Sequence, residues 1–234
     1  MAKDFLTAIR ERRSLYAISK ESPIPDQRIK EIIEEALKHT PSAFNSQSTR
    51  LVLLLGEQHN KLWDLTTQIL KSIVPEDRFE STRQRMEGFR SGYGTILFFE
   101  DQSVIEEFQQ KFPTYQENFP IWSHHTNAMH QLVIWTALET EGLGANLQHY
   151  NPLIDERVKA EWKLPETWNL LAQMPFGKPT APAGEKQFAP LGERFKSFDW
   201  QAITPVGDTP PKDKRLRRPC LTRTSAFTKV DAKL

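Results

Sequence analysis

Apolar residues recur along this chain with two periods, and the changes of period mark its elements. From 26 to 39, Ile29, Ile32, Ile33, Ala36 and Leu37 fall at i, i+3, i+4, i+7 and i+8 with acids and bases opposite, which predicts an amphipathic helix. Thr40-Pro41 ends it, because the residue before a proline disfavours the α conformation. A shorter helix is predicted at the start, capped by Asp4, with Phe5, Ala8 and Ile9 on one face. Leu62, Leu65, Ile69 and Ile73 predict a helix after Gly56; 76–89 is charged and predicts an exposed one. Segments 103–111 and 155–162 read as short helices. Residues 123–141 read as a long one, with Ala128, Leu132, Trp135 and Leu138 on one face and Gly142 as its stop.

Residues 50–55 and 94–99 read as buried strands; the second is apolar on both faces, the pattern of a strand inside a covered sheet. Segments 145–148 and 167–175 read as further strands. Helices separate them, so helices packed on a sheet, α/β or α+β, are expected. Residues 113–122, between Pro113 and Pro120, read as a loop rich in aromatics: Tyr115, Phe119 and Trp122.

The 234 residues suit one domain, or one domain with a tail. The longest apolar runs, 51–55 and 96–99, are far short of the roughly 20 residues of a membrane helix, so no membrane partner is expected. No apolar signal region opens the chain, and a cytoplasmic protein is expected. The single cysteine, Cys220, excludes an internal disulfide framework and a cysteine zinc site.

Charge divides the chain in two. Eight of the 31 Lys/Arg and three of the 30 Asp/Glu lie in 202–234, which therefore carries +5 while 1–201 carries −4. The boundary is expected there: a main domain over 1–201, and a basic, proline-containing tail over 202–234 that lacks apolar periodicity and reads as disordered or non-native. A basic run can bind nucleic acid, but the acidic body disfavours that partner.

Three segments could carry chemistry. Arg12-Arg13-Ser14 places two donor forks and a hydroxyl beside a helix end, which suits a phosphate. Pro41-Ser42-Ala43-Phe44-Asn45-Ser46-Gln47 turns between a helix and a strand and offers a hydroxyl and two amides, able to read a ring that carries both donors and acceptors; the alternative is a turn that only satisfies its own backbone. Gly142-Leu143-Gly144 lets the backbone approach something closely, but it follows a helix and is not a dinucleotide fingerprint. His124, His125 and His130 are spaced by one, five and six, which does not place ligands on one helix face, so a metal is disfavoured. No Gly-x-Ser-x-Gly elbow is present.

Taken together, Arg12-Arg13-Ser14, Pro41-Ser42-x-x-Asn45-x-Gln47, Gly142-Leu143-Gly144 and Met174-Pro175-Phe176-Gly177-Lys178-Pro179 resemble the nitroreductase family of flavin enzymes, from Phe5 to about Phe198. Gln148-His149-Tyr150-Asn151-Pro152 resembles the branch of fatty-acid-repression-mutant oxidoreductases. The resemblance implies an α+β fold, an interlocked homodimer and one FMN per site, bound by residues of both copies. It implies Arg12, Arg13 and Ser14 at the phosphate and ribityl end, with Lys186 as a basic phosphate ligand and Lys178 assisting. Pro41, Ser42, Asn45 and Gln47 would line the ribityl chain and ring, and backbone groups near Gln148 and His149 would face the ring's central nitrogen. Residues 191–198 would cross to the partner.

The implied activity is electron transfer from NADH or NADPH to a small nitroaromatic or quinone-type acceptor by a ping-pong mechanism. Tyr115, Phe119 and Trp122 would either stack over the flavin or pack the dimer, and His149 or Tyr150 could deliver a proton. The alternatives are a flavin-binding sensor with little turnover and a non-flavin scaffold with a nucleic-acid-binding tail.

Overall fold

The computed structural model describes residues 3–198. The expected tail over 202–234 lies outside the described residues. Residues up to Gly184 form one compact unit and those from Glu185 a second.

The first unit is built on an antiparallel sheet. Its strands are β1 (Ile18–Ser19), β2 (Thr49–Leu55), β3 (Gly94–Asp101), β4 (Gly144–Ala145) and β5 (Trp168–Pro179). They run in the order β1-β5-β3-β2, and β4 also pairs with β5. Helices α1 (Phe5–Glu11), α2 (Asp26–His39), α3 (Glu57–Lys71), α4 (Glu76–Arg90), α5 (Gln102–Lys111), α6 (Phe119–Thr140) and α7 (Asp155–Trp162) belong to this unit. The α+β expectation holds.

Strand β3 is buried along its whole length because helices cover both faces. Its alternate residues divide between two cores. Ile96 and Phe98 join Ile29, Ile33, Ile134 and Leu138 beneath α2 and α6. Leu97 and Phe99 join Leu62, Trp63, Met86 and Phe89 beneath α3 and α4. The Asp4 side chain caps α1 by accepting from the Thr7 N–H at 3.1 Å.

Four expectations need correction. Strand β2 is an edge strand and mostly half-buried, since pairing with β3 alone leaves its other side open. Helix α4 is not simply exposed; Met86 and Phe89 are buried, two apolar anchors that its charged run obscures. Helix α6 begins at Phe119 rather than 123, because proline is well tolerated in a first turn and Pro120 occupies it. The aromatic stretch is accordingly a 3₁₀ segment, Pro113–Asn118, running into α6. Strand β1 was not expected, two residues being too few to carry a period.

The second unit contains the one-turn helix α8 (Leu191–Arg194). Phe188, Leu191, Phe195 and Phe198 are all exposed.

Candidate functional site

Two of the three segments meet. Ser14 and Ala145 form an isolated parallel bridge. The Leu15 N–H donates to the Ala145 carbonyl at 2.9 Å, and Asn146 Nδ2 donates to the Leu15 carbonyl at 2.9 Å. Gly144 permits this, since a Cβ there would stand 3.0 Å from the Leu15 side chain and the Pro179 ring. The close approach expected of the glycines is thus made to the chain's own Leu15 and Pro179.

Helix α1 ends at Glu11, and the backbone leaves the helical conformation at Arg12, with φ −58° and ψ 121°. The Arg12 guanidinium carbon lies 4.4 Å over the centre of the Trp135 ring. The Arg13 N–H donates to Glu139 Oε2 at 2.8 Å, and Trp135 Nε1–H donates to Oε1 of the same carboxylate at 2.8 Å. Burial pushes the Glu139 carboxyl up, against these two donors and the nearby Arg12 charge. The Arg13 guanidinium donates to the Gly184 carbonyl. Both arginines are half-buried and Ser14 is exposed. Among the described residues no carboxylate pairs with either guanidinium.

The segment after β4 corrects part of the expectation. Gln148 spends both main-chain groups on Gln173, at 2.7 and 2.9 Å, and its amide Nε2 donates to Asn146 Oδ1 at 2.7 Å. The exposed His149 is therefore the part that can face a ligand. Tyr150 is turned into the second core, 5.9 Å edge-on from Trp63 and 6.3 Å from Phe89, where burial pushes its hydroxyl up. Proton delivery from Tyr150 does not fit that packing. Lys178 donates to Glu21 Oε2 at 2.7 Å in an exposed ion pair. Lys186 belongs to the second unit, exposed, with its ammonium 5.3 Å from the Phe188 ring.

The Pro41–Gln47 segment sits at the other end of α6. Phe44, Asn45 and Gln47 have φ of 54°, 55° and 51°, the left-handed region that costs side-chain-bearing residues roughly 1–2 kcal/mol each. Ser42 Oγ holds the turn by accepting the Gln47 N–H at 3.0 Å. Glu100 anchors its far end. That buried carboxylate accepts from Ser48 Oγ, from Thr49 Oγ1 at 2.6 Å and from Asn127 Nδ2 of α6 at 3.0 Å. Burial pushes its carboxyl up while the three donors oppose.

The strained turn places the Phe44 ring among aromatics, 4.6 Å from Phe112, 5.6 Å from Phe119, 5.7 Å from Tyr115 and 6.1 Å from Trp122. Beside it lies a cavity of about 360 Å³ whose lining includes Pro41, Ser42, Phe44, Trp122, His125 and Met129. Trp122 therefore forms wall, Phe119 is buried beneath, and Tyr115 flanks. The Asn45 and Gln47 side chains are exposed. Phe44 was missed because it fills an unconstrained position of the motif; the nearby aromatic run was the only hint. His125 lines the cavity, whereas His130 is buried with Nδ1 bonded to the Thr126 carbonyl at 2.9 Å, so the histidines do not converge.

The model of the nitroreductase family matches residues 9–178. The chain is 39% identical over 186 residues to the putative nitroreductase HBN1 of Saccharomyces cerevisiae, covering 79% of this chain and 92% of that protein. It is 36% identical over 187 residues to the nitroreductase FRM2 of the same yeast, covering 79% and 93%. Its fold is similar to that of the nitroreductase CinD from Lactococcus lactis in complex with nicotinic acid, with a TM-score of 0.79 and 44% identity over 84% of this chain and 100% of that one. CinD structures with chloramphenicol and with 4-nitrophenol are similar in the same way, each with a TM-score of 0.77 and 42% identity over 84% of this chain and 100% of CinD.

Proposed function

The chain belongs to the nitroreductase family, and from that premise we propose that it is an FMN-dependent oxidoreductase passing electrons from NADH or NADPH to nitroaromatic or quinone-type acceptors in a ping-pong cycle. The observation that carries this is the Arg12-Arg13-Ser14 segment. Two half-buried guanidiniums lack an ion-paired carboxylate among the described residues, one lying over the Trp135 ring and the other donating to the Gly184 carbonyl, while the adjoining Ser14 main chain bridges to Ala145. Such a pair calls for an anion, and guanidinium forks match phosphate oxygens. The donor set fits the phosphate end of FMN.

When bound, FMN supplies the hydride and electron chemistry itself. The chain's part is to bind, orient and shield. Arg12, Arg13 and Ser14 hold the phosphate and ribityl end. The main chain at His149 faces the ring, and the Ser42, Asn45 and Gln47 side chains read its edge. Phe44 and Trp122 form an apolar wall against which a flat acceptor lies. The aromatic ligands of CinD agree with such a wall. Solvent or His149 supplies the proton.

A distance within the chain supports a homodimer. Arg12 meets α6 at Trp135, and Phe44 meets it at Trp122, thirteen residues away, or about 20 Å of helix. That span is hard for one flavin to bridge within one chain. A second copy supplying its own Pro41–Gln47 turn would close the site. Met129, Leu132 and Val133 leave an apolar strip exposed on α6, and a cavity of about 450 Å³ beside it includes Ile32, Ala36, Pro41 and Val133 in its lining. The exposed Leu191, Phe195 and Phe198 suit a segment that crosses to the partner. We place the activity in the cytoplasm, which supplies reduced nicotinamide nucleotides.

An absorbance spectrum of the purified protein tests the reading. A flavin spectrum, present as purified or gained with FMN, supports it, and a folded protein that stays colourless with FMN overturns it. NADPH oxidation with a quinone then separates an enzyme from a flavin sensor.

A further inference from the structure

We propose that Trp135 and Glu139 are positioning residues that hold Arg12 and Arg13 ready for a phosphate, and so set the preference for FMN over riboflavin. The inference rests on the flavin reading above and adds to it two residues of α6. They lie four apart on one helix face, so their side chains meet. The indole N–H donates to one oxygen of the Glu139 carboxylate at 2.8 Å, and the Arg13 main-chain N–H donates to the other at 2.8 Å. One carboxylate thereby fixes both the ring and the backbone at the arginine pair.

The Trp135 ring completes the arrangement. It receives the Arg12 guanidinium 4.4 Å over its centre. A cation held over a ring keeps its N–H groups for another acceptor, whereas an ion pair would spend them. Glu139 could have paired with Arg12 directly; its oxygens are instead occupied by neutral donors. The Arg12 charge is felt at the Glu139 carboxyl and opposes the effect of its burial. A half-buried carboxylate is a costly choice for packing alone, and an apolar side chain would serve that purpose better.

The test measures FMN and riboflavin affinity of the flavin-free full chain by fluorescence, in the wild type, Trp135→Phe, Glu139→Gln and Arg12→Ala. Riboflavin carries the same ring and ribityl chain without the phosphate. Trp135→Phe keeps a ring under Arg12 but loses the N–H, and Glu139→Gln keeps the shape. Each is expected to weaken FMN about tenfold, the scale of a hydrogen bond to a charged group, and riboflavin less than twofold. In the Arg12→Ala background Trp135→Phe should add little. Equal weakening of both flavins would reveal general damage and overturn the inference, as would no change in either or full additivity with Arg12→Ala. If the wild type binds neither flavin, the flavin reading itself falls; if it binds FMN with an unaltered preference in the variants, only the positioning role falls.

Discussion

Ser14 and Ala145 stand 131 positions apart in sequence and side by side in the fold, joined as a parallel bridge. The bridge brings the arginine pair to the strand that follows α6, so the end of α1 and the start of β4 form one wall. Gly144 and Gly177 pair across β4 and β5 next to it. The proposed site thus rests on a close backbone junction as much as on the charged side chains it presents.

Removing one guanidinium tests the phosphate role. Arg12→Ala should weaken FMN binding by about 1.5–3 kcal/mol, the scale of a charge-assisted hydrogen bond, read by flavin titration of the flavin-free protein. Unchanged affinity would remove Arg12 from the site.

The aromatic wall makes a kinetic prediction. Trp122→Ala should raise KM for a nitrobenzene acceptor about three- to tenfold, the scale of one aromatic contact, with bound flavin retained. Steady-state rates at saturating NADPH report it. An unaltered KM would leave Trp122 as packing only.

The junction is sterically exposed at Gly177. A Cβ there would collide with the Ser19 carbonyl oxygen and stand 3.0 Å from the Tyr93 nitrogen, both backbone atoms that cannot rotate away. Gly177→Ala should cost about 2–3 kcal/mol, seen as a lower Tm. A variant as stable as the wild type would mean that the β1–β5 junction yields more easily than its geometry implies.

His59 should make stability acid-sensitive. Its Nε2 lies 3.2 Å from the Arg90 carbonyl and its Nδ1 2.8 Å from Thr95 Oγ1, which also accepts the Trp63 indole N–H at 3.0 Å. The neutral ring, with its proton on Nε2, satisfies this set. Burial pushes it down from 6.5 to about 4. Between those values the unfolded chain takes a proton that the folded one refuses, so stability falls with pH from about 6.5 and levels off below about 4. The full loss is about 3 kcal/mol. Urea unfolding at pH 7, 5.5 and 4.5 measures it. His59→Gln should be less stable at pH 7 but lose this slope; the same slope in the variant would assign the effect to other groups.

The segments proposed for the candidate site were legible before folding was considered. Arg12-Arg13-Ser14 and Pro41 to Gln47 are weak signals singly and stand out by their joint order and spacing, their donor types suiting a phosphate and a polar ring. Phe44 did not, since an exposed phenylalanine in a turn carries no signal until Phe112, Phe119 and Trp122 gather round it. Tyr150 suggested a role that packing against Trp63 takes away, and Lys178 is engaged in an exposed pair with Glu21 that the sequence did not show.

By itself the sequence determined whatever depends on neighbours within a few positions. The 3.6-residue period of α2, the Asp4 cap and the two-faced burial of β3 all act over one or two turns or a single strand. Only the tertiary structure decided that β2 is an edge, that α6 starts at Phe119, that Ser14 meets Ala145, and that Trp135 and Glu139 stand under the arginines. Those relationships join positions far apart in the chain. Their energy comes from burial and hydrogen bonds that exist only once the sheet has brought the segments together, so no local period records them.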